Sequence, residues 1–279
     1  MTVVLALASA LAYGLSDFVG GLTTRRLDVW TTAAIAQVAS LVMVTPVALL
    51  TAADPTRGDL ACGALAGVGS AVGSMFLYRG LARGRMSVVA PVSAVGSAVV
   101  PVVVAVLTGE RPAALVWIGV ACALPAIWLV SQAGDDPAPG GASTRSSLVD
   151  GTLAGAGFGL LFVALGQVPG RAGLVPVIAM QASSVVLLLV AAHVIGTGLR
   201  WRRDSLPGPV AAGALAAAAT VFFQLASQSG SLTVASVLAA LYPATTVLLA
   251  ALVLKETIAG RQAVGLAMAA VAVGLVAAG

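Results

Sequence analysis

The chain has 279 residues, of which 59% are hydrophobic and only 9% are charged. A soluble globular protein carries about a quarter charged residues, so this chain has too little polar surface to cover itself in water. Its formal charge of +4 comes from 14 basic and 10 acidic residues. The basic residues are scattered singly or in pairs between apolar blocks. This distribution is typical of membrane topology signals and does not indicate a nucleic-acid partner.

Ten apolar blocks are long enough to cross a bilayer. An uncharged block of about 18 or more residues predicts a spanning helix, because a helix satisfies every backbone amide within the segment. The predicted spans are residues 2–22, 29–52, 60–81, 86–108, 113–133, 148–169, 172–197, 207–227, 231–254 and 258–278. We therefore expect an all-α integral membrane protein with ten transmembrane helices. The preference for arginine over lysine is typical of GC-rich bacterial genomes and favours the bacterial inner (plasma) membrane.

The chain divides into two related halves. The sequence between them, SQAGDDPAPGGASTRSS, is rich in Gly, Pro, Ser and Asp, which predicts a flexible linker over residues 132–147 between repeats at 1–131 and 148–279. Shifting the sequence by 146 positions aligns residues 84–130 with 230–276 without a gap. Among the matched pairs are Glu110 with Glu256 and Gly119 with Gly265.

Each half contains five predicted helices. Because five is an odd number, the second half enters the membrane in the opposite orientation to the first. Inverted repeats of this kind are common in secondary transporters, in which the two halves move about a site near the membrane midplane and open it to alternate sides. The repeat therefore favours transport by alternating access.

Asp17 is the clearest acidic residue within a predicted span. A charged side chain in hydrocarbon needs a partner or water, so an acid at this position indicates a functional site. It could couple transport to protons or hold a cationic group. The alternative is that Asp17 lies near the helix end and is solvated or paired with Arg25, Arg26 or Arg79. Tyr13 lies one turn earlier on the same helix face.

Further polar residues lie at matching positions of the two halves. Ser74 and Tyr78 draw a polar stripe on the third helix, and the repeat offset relates them to Thr220 and Gln224 on the eighth. The fourth and ninth helices contain prolines that free backbone carbonyls, so both are expected to kink near polar residues. We predict that ten residues line a central substrate cavity: Tyr13, Asp17, Ser74, Tyr78, Ser93, Ser97, Thr220, Gln224, Tyr242 and Thr246.

Three segments resemble the EamA family of the drug/metabolite transporter superfamily. They are ALYPATTVLLAALVLKE with the following TIAGRQAVGLAMAAVAVGL, the segment GRMSVVAPVSAVGSAVVPVVVAVLTGER, and LAYGLSDFVGGL near the start. The resemblance implies ten spans in two five-helix halves around a central cavity. It also implies efflux of amino acids, metabolites or toxic compounds, driven by protons or by the gradient of the solute itself.

Other classes of protein receive less support. A phosphate-binding glycine loop followed by Lys and Ser or Thr is missing from the sequence, and Cys62 and Cys122 lack metal-ligand spacing. We therefore predict a transporter of a small-molecule substrate with no cofactor, no metal and no catalytic residue, for which protons are a candidate coupling ion. A membrane enzyme acting on a small or lipid-linked substrate, or a channel, remains an alternative.

Overall fold

A computed structural model of the chain describes residues 1–24, 27–83, 86–131, 144–196, 198–199, 206–255 and 257–279. Within these ranges, the side chains of residues 29, 78, 80–83, 86–88 and 144 lie outside the description. The helices are α1 (Thr2–Thr24), α2 (Val29–Leu49), α3 (Arg57–Arg83), α4 (Met86–Leu107), α5 (Ala114–Ser131), α6 (Thr144–Gly166), α7 (Val175–Ile195), α8 (Pro207–Gln228), α9 (Leu232–Ala239), α10 (Tyr242–Val253) and α11 (Gly260–Ala278). One turn of 3-10 helix, Gly170–Ala172, precedes α7.

These helices form ten segments in the described ranges that are long and apolar enough to cross a membrane, with α9 and α10 together making the ninth. The predicted all-α architecture with ten spans is therefore confirmed. The observed ends lie within about four residues of the predicted ones. Because the two halves have five spans each, successive spans place the second half in the opposite orientation.

Local chemistry sets several helix ends. The carboxylate of Asp28 accepts hydrogen bonds from the backbone N–H groups of Trp30 and Thr31, each at 2.9 Å, and so caps the start of α2. Burial opposes the ionisation of Asp28, but these bonds outweigh it and lower its pKa. At the other end of a span, Gly196 adopts φ 75° and closes α7 in the left-handed conformation that favours glycine.

The ninth span is broken, whereas the fourth is continuous. The interruption falls at Ala240 and Leu241, between α9 and α10, and Pro243 lies just inside the second piece. Pro243 has no N–H to donate to the turn before it, which weakens the regular hydrogen-bond pattern at this point. The fourth span also contains two prolines, but α4 passes through both without a break. Of the two expected kinks, the structure thus has a clear interruption only in the ninth span.

Glycines allow α6 to approach both α3 and α4 closely. A Cβ atom added to Gly155 would lie only 2.9 Å from the Gly96 Cα atom, and one added to Gly69 would lie 2.6 Å from the carbonyl oxygen of Gly157. Real Cβ atoms do not pack at such distances, so each pair of backbones is in direct contact. Small residues at these positions are how transmembrane helices gain packing energy without a hydrophobic driving force.

The helix ends define two faces of the bundle. We call one the N-terminal face: it carries the beginnings of α1, α3, α5, α7 and α9 and the ends of α2, α4, α6, α8 and α11. The opposite face, which we call the linker face, carries the end of α5 and the beginning of α6.

Polar contacts tie the connections of the N-terminal face together. Arg171, between α6 and α7, forms an ion pair of 3.2 Å with Asp59 at the start of α3. The side-chain amide of Gln228, at the end of α8, donates to the carbonyl oxygen of Gly173 at 3.3 Å. The ion pair joins connections of the two repeats, and the Gln228 bond joins two connections of the second repeat.

The Glu110 carboxylate accepts three hydrogen bonds across this face. The donors are the Ser231 hydroxyl at 2.6 Å, the Leu232 N–H at 2.6 Å and the Thr233 N–H at 3.2 Å. Glu110 follows α4 in the first repeat, so its carboxylate caps the first turn of α9 in the second repeat. Burial opposes ionisation of Glu110, but the hydrogen bonds from Ser231, Leu232 and Thr233 outweigh it and lower its pKa.

Replacing Gly155 with Val should destabilise the bundle, because the new side chain collides with the α4 backbone at Gly96. We expect a loss of about 1–3 kcal/mol, which is typical of overpacked sites, measured as a lower melting temperature in detergent. Gly274→Val is the matched control, since a Cβ atom at Gly274 meets nothing within 4 Å. Equal melting temperatures for the two variants would contradict the close approach of α4 and α6.

Replacing Glu110 with Gln should weaken the tie to α9 by roughly 1 kcal/mol, since Glu110 is partly exposed and its charge is partly screened. The folded state lowers the pKa of Glu110 from its ordinary value of 4.5, so the stabilisation is present above that pH and is lost as the pH falls below it. The melting temperatures of the wild type and of Glu110→Gln should therefore converge on acidification from about pH 7 to about pH 3.5. A difference that stays constant over this range would rule out a charge-dependent cap.

Candidate functional site

A cavity of about 190 Å³ lies between the helices of the two repeats. Both repeats contribute to its wall: α1 to α4 belong to the first repeat, and α6, α7, α8 and α10 belong to the second. The lining residues are Tyr13, Ser16, Asp17, Ala33, Ala36, Gln37, Ser70, Ser74, Leu77, Ser97, Phe158, Leu161, Phe162, Met180, Gln181, Leu188, Ala216, Thr220 and Tyr242.

Successive turns of α1 supply the most polar part of the wall. The Tyr13 hydroxyl hydrogen-bonds with the Thr220 hydroxyl at 3.0 Å, and the Ser16 hydroxyl donates to the carbonyl oxygen of Ala212 at 2.9 Å. Both bonds fix α1 against α8 of the second repeat. Asp17 lies between these anchored residues and the linker face, and its side chain is exposed at the cavity.

Asp17 has no hydrogen-bond or ion-pair partner among the residues that the structure describes. Of the three arginines considered as partners, Arg79 instead pairs with Asp150 at the start of α6. Arg25 and Arg26 lie outside the described residues. An unpaired carboxylate within a span is costly unless water, a proton or a cationic ligand compensates it.

Aromatic rings form a second part of the site. The Tyr13 ring centre lies 6.3 Å from that of Tyr242 and 6.4 Å from that of Phe162. Behind the wall, the rings of Phe162 and Phe223 are stacked at 4.4 Å. These spacings fall within the range of favourable aromatic pairs, so the rings support one another and give the cavity a rigid apolar side.

Amide and hydroxyl groups on α2, α3 and α7 form a third part, in which Ser70 belongs to the predicted polar stripe of α3 and the amides were not singled out by the sequence analysis. The Gln37 side-chain amide donates to the Ser184 hydroxyl at 3.0 Å and to the Ser70 hydroxyl at 3.4 Å. Gln181 donates in the same way to Ser40. Asp17 was noticed because it is a polar side chain within an apolar span. Gln37 and Gln181 have the same property, so the sequence could have indicated them too.

Apart from Ala33 and Leu188, which are buried, the lining residues nearer the linker face are more exposed than those nearer the N-terminal face. Asp17 is exposed and Gln37 and Ser74 are half-buried, and all three lie in the part of their helices nearer the linker face. Phe162 and Met180, nearer the N-terminal face, are only 4% and 2% exposed. The cavity therefore opens towards the linker face and ends in a packed floor on the side of the N-terminal face.

The structure brings together six of the ten residues predicted to line the cavity: Tyr13, Asp17, Ser74, Ser97, Thr220 and Tyr242. Ser93, Thr246 and Gln224 are not among the lining residues in the described part of the chain. Ser93 is buried where α4 packs on Gly155, and the Thr246 hydroxyl donates to the backbone oxygens of Gly14 and Tyr242. The side chain of Tyr78 lies outside the described residues.

Gln224 lies one turn beyond Thr220 on α8, in the direction of the N-terminal face. Its side chain is fully buried, and neither atom of its amide group has a hydrogen-bond partner among the described residues. Phe223, its neighbour in the chain, is also fully buried and stacks on Phe162. Gln224 is therefore in the packed floor and does not line the open cavity.

The described residues contain no group of three or more His, Cys, Asp or Glu side chains that could hold a metal ion. What the cavity offers a ligand is instead one carboxylate, several hydroxyl and amide groups, and aromatic rings. These groups can bind and orient a small molecule.

Comparison with known proteins identifies the family. The model of the EamA-like transporter family matches the chain twice, over residues 1–132 and 147–278. A solved structure described as "Crystal structure of protein" has a TM-score of 0.79 with this chain at 14% sequence identity, covering 98% of this chain and 95% of that chain. At this identity the likeness shows the fold alone. No curated protein sequence gives a significant match.

Nearly the whole chain is thus matched as two successive repeats of one family, and its ten apolar helices agree with that assignment. A transporter family of this kind implies that the chain has a small-molecule substrate and works in a lipid bilayer. The protein therefore belongs to the EamA-like transporter family of the drug/metabolite transporter superfamily, as a multi-pass membrane protein.

Proposed function

We propose that the protein is a secondary active transporter that exports small metabolites, such as amino acids or amphipathic compounds, by alternating access. The observation that carries the proposal is the cavity between the two repeats, which is open towards the linker face and closed towards the N-terminal face. A channel would need a continuous path, whereas a carrier has a site that reaches one side at a time. Export is the direction implied by the family.

The closed side has the composition expected of a gate. Below the cavity, the closely packed rings of Phe162 and Phe223 exclude water, while Gln224 is buried without partners for its side-chain amide. A buried unsatisfied polar group costs about 1–3 kcal/mol. Groups of this kind are disfavoured in a permanently closed wall. They are compatible with a path that becomes hydrated in a second conformation.

The contacts across the N-terminal face would have to break in that second conformation. The ties of Glu110 to α9 and of Arg171 to Asp59 both join the two repeats. Each is polar and partly exposed, so water can replace its hydrogen bonds at modest cost. These polar contacts between the repeats therefore support reversible opening of the N-terminal face.

Asp17 is the proposed coupling residue. It is the acidic residue that lines the cavity, it is exposed there, and it has no partner among the described residues. An acid that is accessible from one side and lacks a fixed counter-charge can take up a proton or a cationic group and release it on the other side. We propose that Asp17 does so during the transport cycle, with Tyr13, Ser74, Ser97, Thr220 and Tyr242 contacting the substrate.

Alternating access can be tested without knowing the substrate. In a background carrying Cys62→Ala and Cys122→Ala, single Ser74→Cys and Thr233→Cys variants are treated with a membrane-impermeant maleimide from either side. We expect Ser74→Cys to react from the linker face only, since it lies in the open cavity. Thr233→Cys should react from the N-terminal face only, and slowly, because Thr233 is fully buried in the closed end.

The double variant distinguishes a carrier from a channel. Once a bulky maleimide occupies position 74, the open cavity cannot close, so labelling at position 233 should be suppressed. Labelling of both positions from both faces, or independent labelling in the double variant, would contradict alternating access.

Replacing Asp17 with Asn should abolish proton coupling while leaving the fold intact, because the two side chains have nearly the same size. Proteoliposomes containing a pH-sensitive dye would be screened with amino acids, nucleobases and organic cations for solutes that cause proton movement. Asp17→Asn should remove that movement, whereas the control Asp54→Asn should retain it, since Asp54 is an exposed acid between α2 and α3. Unchanged proton movement in Asp17→Asn would remove Asp17 from the mechanism.

Replacing Gln224 with Met should stabilise the closed N-terminal face and slow transport. The change removes a buried amide that lacks partners, so we expect a gain of roughly 1–3 kcal/mol in stability. It also makes the proposed path apolar, so exchange of a solute found in the screen should become slower. A higher melting temperature with lower exchange is the expected pair of results, and a lower melting temperature would contradict this role of Gln224.

A further inference from the structure

We propose that the cavity selects amphipathic organic monocations, each with one ammonium group and one compact ring-sized apolar body. The ammonium group would bind at Asp17 and the apolar body would lie deeper, against Phe158, Leu161 and Phe162. The inference rests on the proposed function, because it takes the cavity to be the transport site. It narrows the substrate to one chemical class and one orientation.

The polar end of the site is negative and unpaired. Asp17 supplies a full charge without an ion-pair partner among the described residues, and the neighbouring groups are hydroxyls and amides. The Ser16 hydroxyl is engaged with the Ala212 carbonyl oxygen, so the Asp17 carboxylate is the free acceptor on this part of α1. A substrate ammonium group matches that acceptor, and the ring of Tyr13 one turn away can add a cation–π contact.

The opposite end of the site is apolar. Phe158, Leu161 and Phe162 come from α6, which is the first helix of the second repeat and so the counterpart of α1. The inverted repeat thus brings a polar helix and an apolar helix to a single cavity. A ligand with a charged end and an apolar end satisfies both walls in only one orientation.

The volume of the cavity sets the size of the apolar body. An apolar cavity of about 150 Å³ accommodates benzene, and this cavity is about 190 Å³. One ring with a short amine chain therefore suits the space.

The charge balance separates amines from amino acids. None of the lining residues in the described part of the chain is basic. The carboxylate of a zwitterion would therefore lie near Asp17 without a cation to compensate it. Like charges in a site of low polarity repel, so the cavity should bind an amine more tightly than the amino acid with the same ring.

The test compares four compounds that share a phenyl ring and differ in charge: phenethylamine, 2-phenylethanol, 3-phenylpropionate and L-phenylalanine. Binding to the purified full-length chain in nanodiscs is measured by equilibrium dialysis. We expect phenethylamine to bind at least about tenfold more tightly than each of the others, and also more tightly than butylamine, which lacks the ring. Binding of L-phenylalanine or 2-phenylethanol as tight as that of phenethylamine would overturn the proposal.

The variants assign the preference to Asp17. Asp17→Asn should bind phenethylamine and 2-phenylethanol equally, while Asp54→Asn should keep the wild-type preference. A preference for the amine that survives in folded Asp17→Asn would overturn the assignment. The wild-type ranking decides the substrate class even if Asp17→Asn does not fold. If cysteine labelling is one-sided but the binding ranking fails, the amine specificity is wrong and the carrier function is retained. If the ranking holds but cysteine labelling contradicts alternating access, the carrier function is wrong and the amine site is retained.

Discussion

The exclusion of water from the hydrocarbon core is the constraint on which the rest of this structure depends. In such a medium each polar group needs a partner, and most of the buried ones have found it: Ser9 on the carbonyl oxygen of Ala219, and Gln37 on Ser184. The exceptions are therefore informative. Asp17 in the cavity wall and the fully buried Gln224 are polar without side-chain partners in the described chain.

The same constraint explains how much of the fold could be predicted from the sequence. A span is a long apolar block, so its existence is visible without tertiary information, and all ten were predicted with ends within about four residues. The interruption at Ala240 and Leu241 was less predictable. Proline occurs in both the fourth and the ninth spans, and whether the helix breaks depends on how neighbouring helices satisfy the freed carbonyl groups.

The candidate site was predictable in part, for a geometrical reason. Helical spacing relates residues on one helix, so Tyr13 with Asp17 could be grouped from the sequence, and the repeat related Ser74 to Thr220. Spacing does not give the rotation of a helix about its own axis. Gln224 follows Thr220 by one turn yet is fully buried, and an amide within α2 or α7 is visible in the sequence without any sign that Gln37 and Gln181 face the cavity. Depth and rotation come from packing, which the close glycine contacts of α3, α4 and α6 determine.

The broken ninth span makes the two related bundles mechanically unequal. The second bundle has an interruption, which acts as a joint, at Ala240 and Leu241, whereas α4 of the first bundle is a continuous helix. In the proposed alternating-access cycle, two identical bundles would give outward- and inward-facing forms that are related by a two-fold rotation and equal in free energy. A joint in one bundle only makes the two forms unequal, so we expect the empty protein to rest mainly in one form and substrate binding to supply the free energy needed to reach the other.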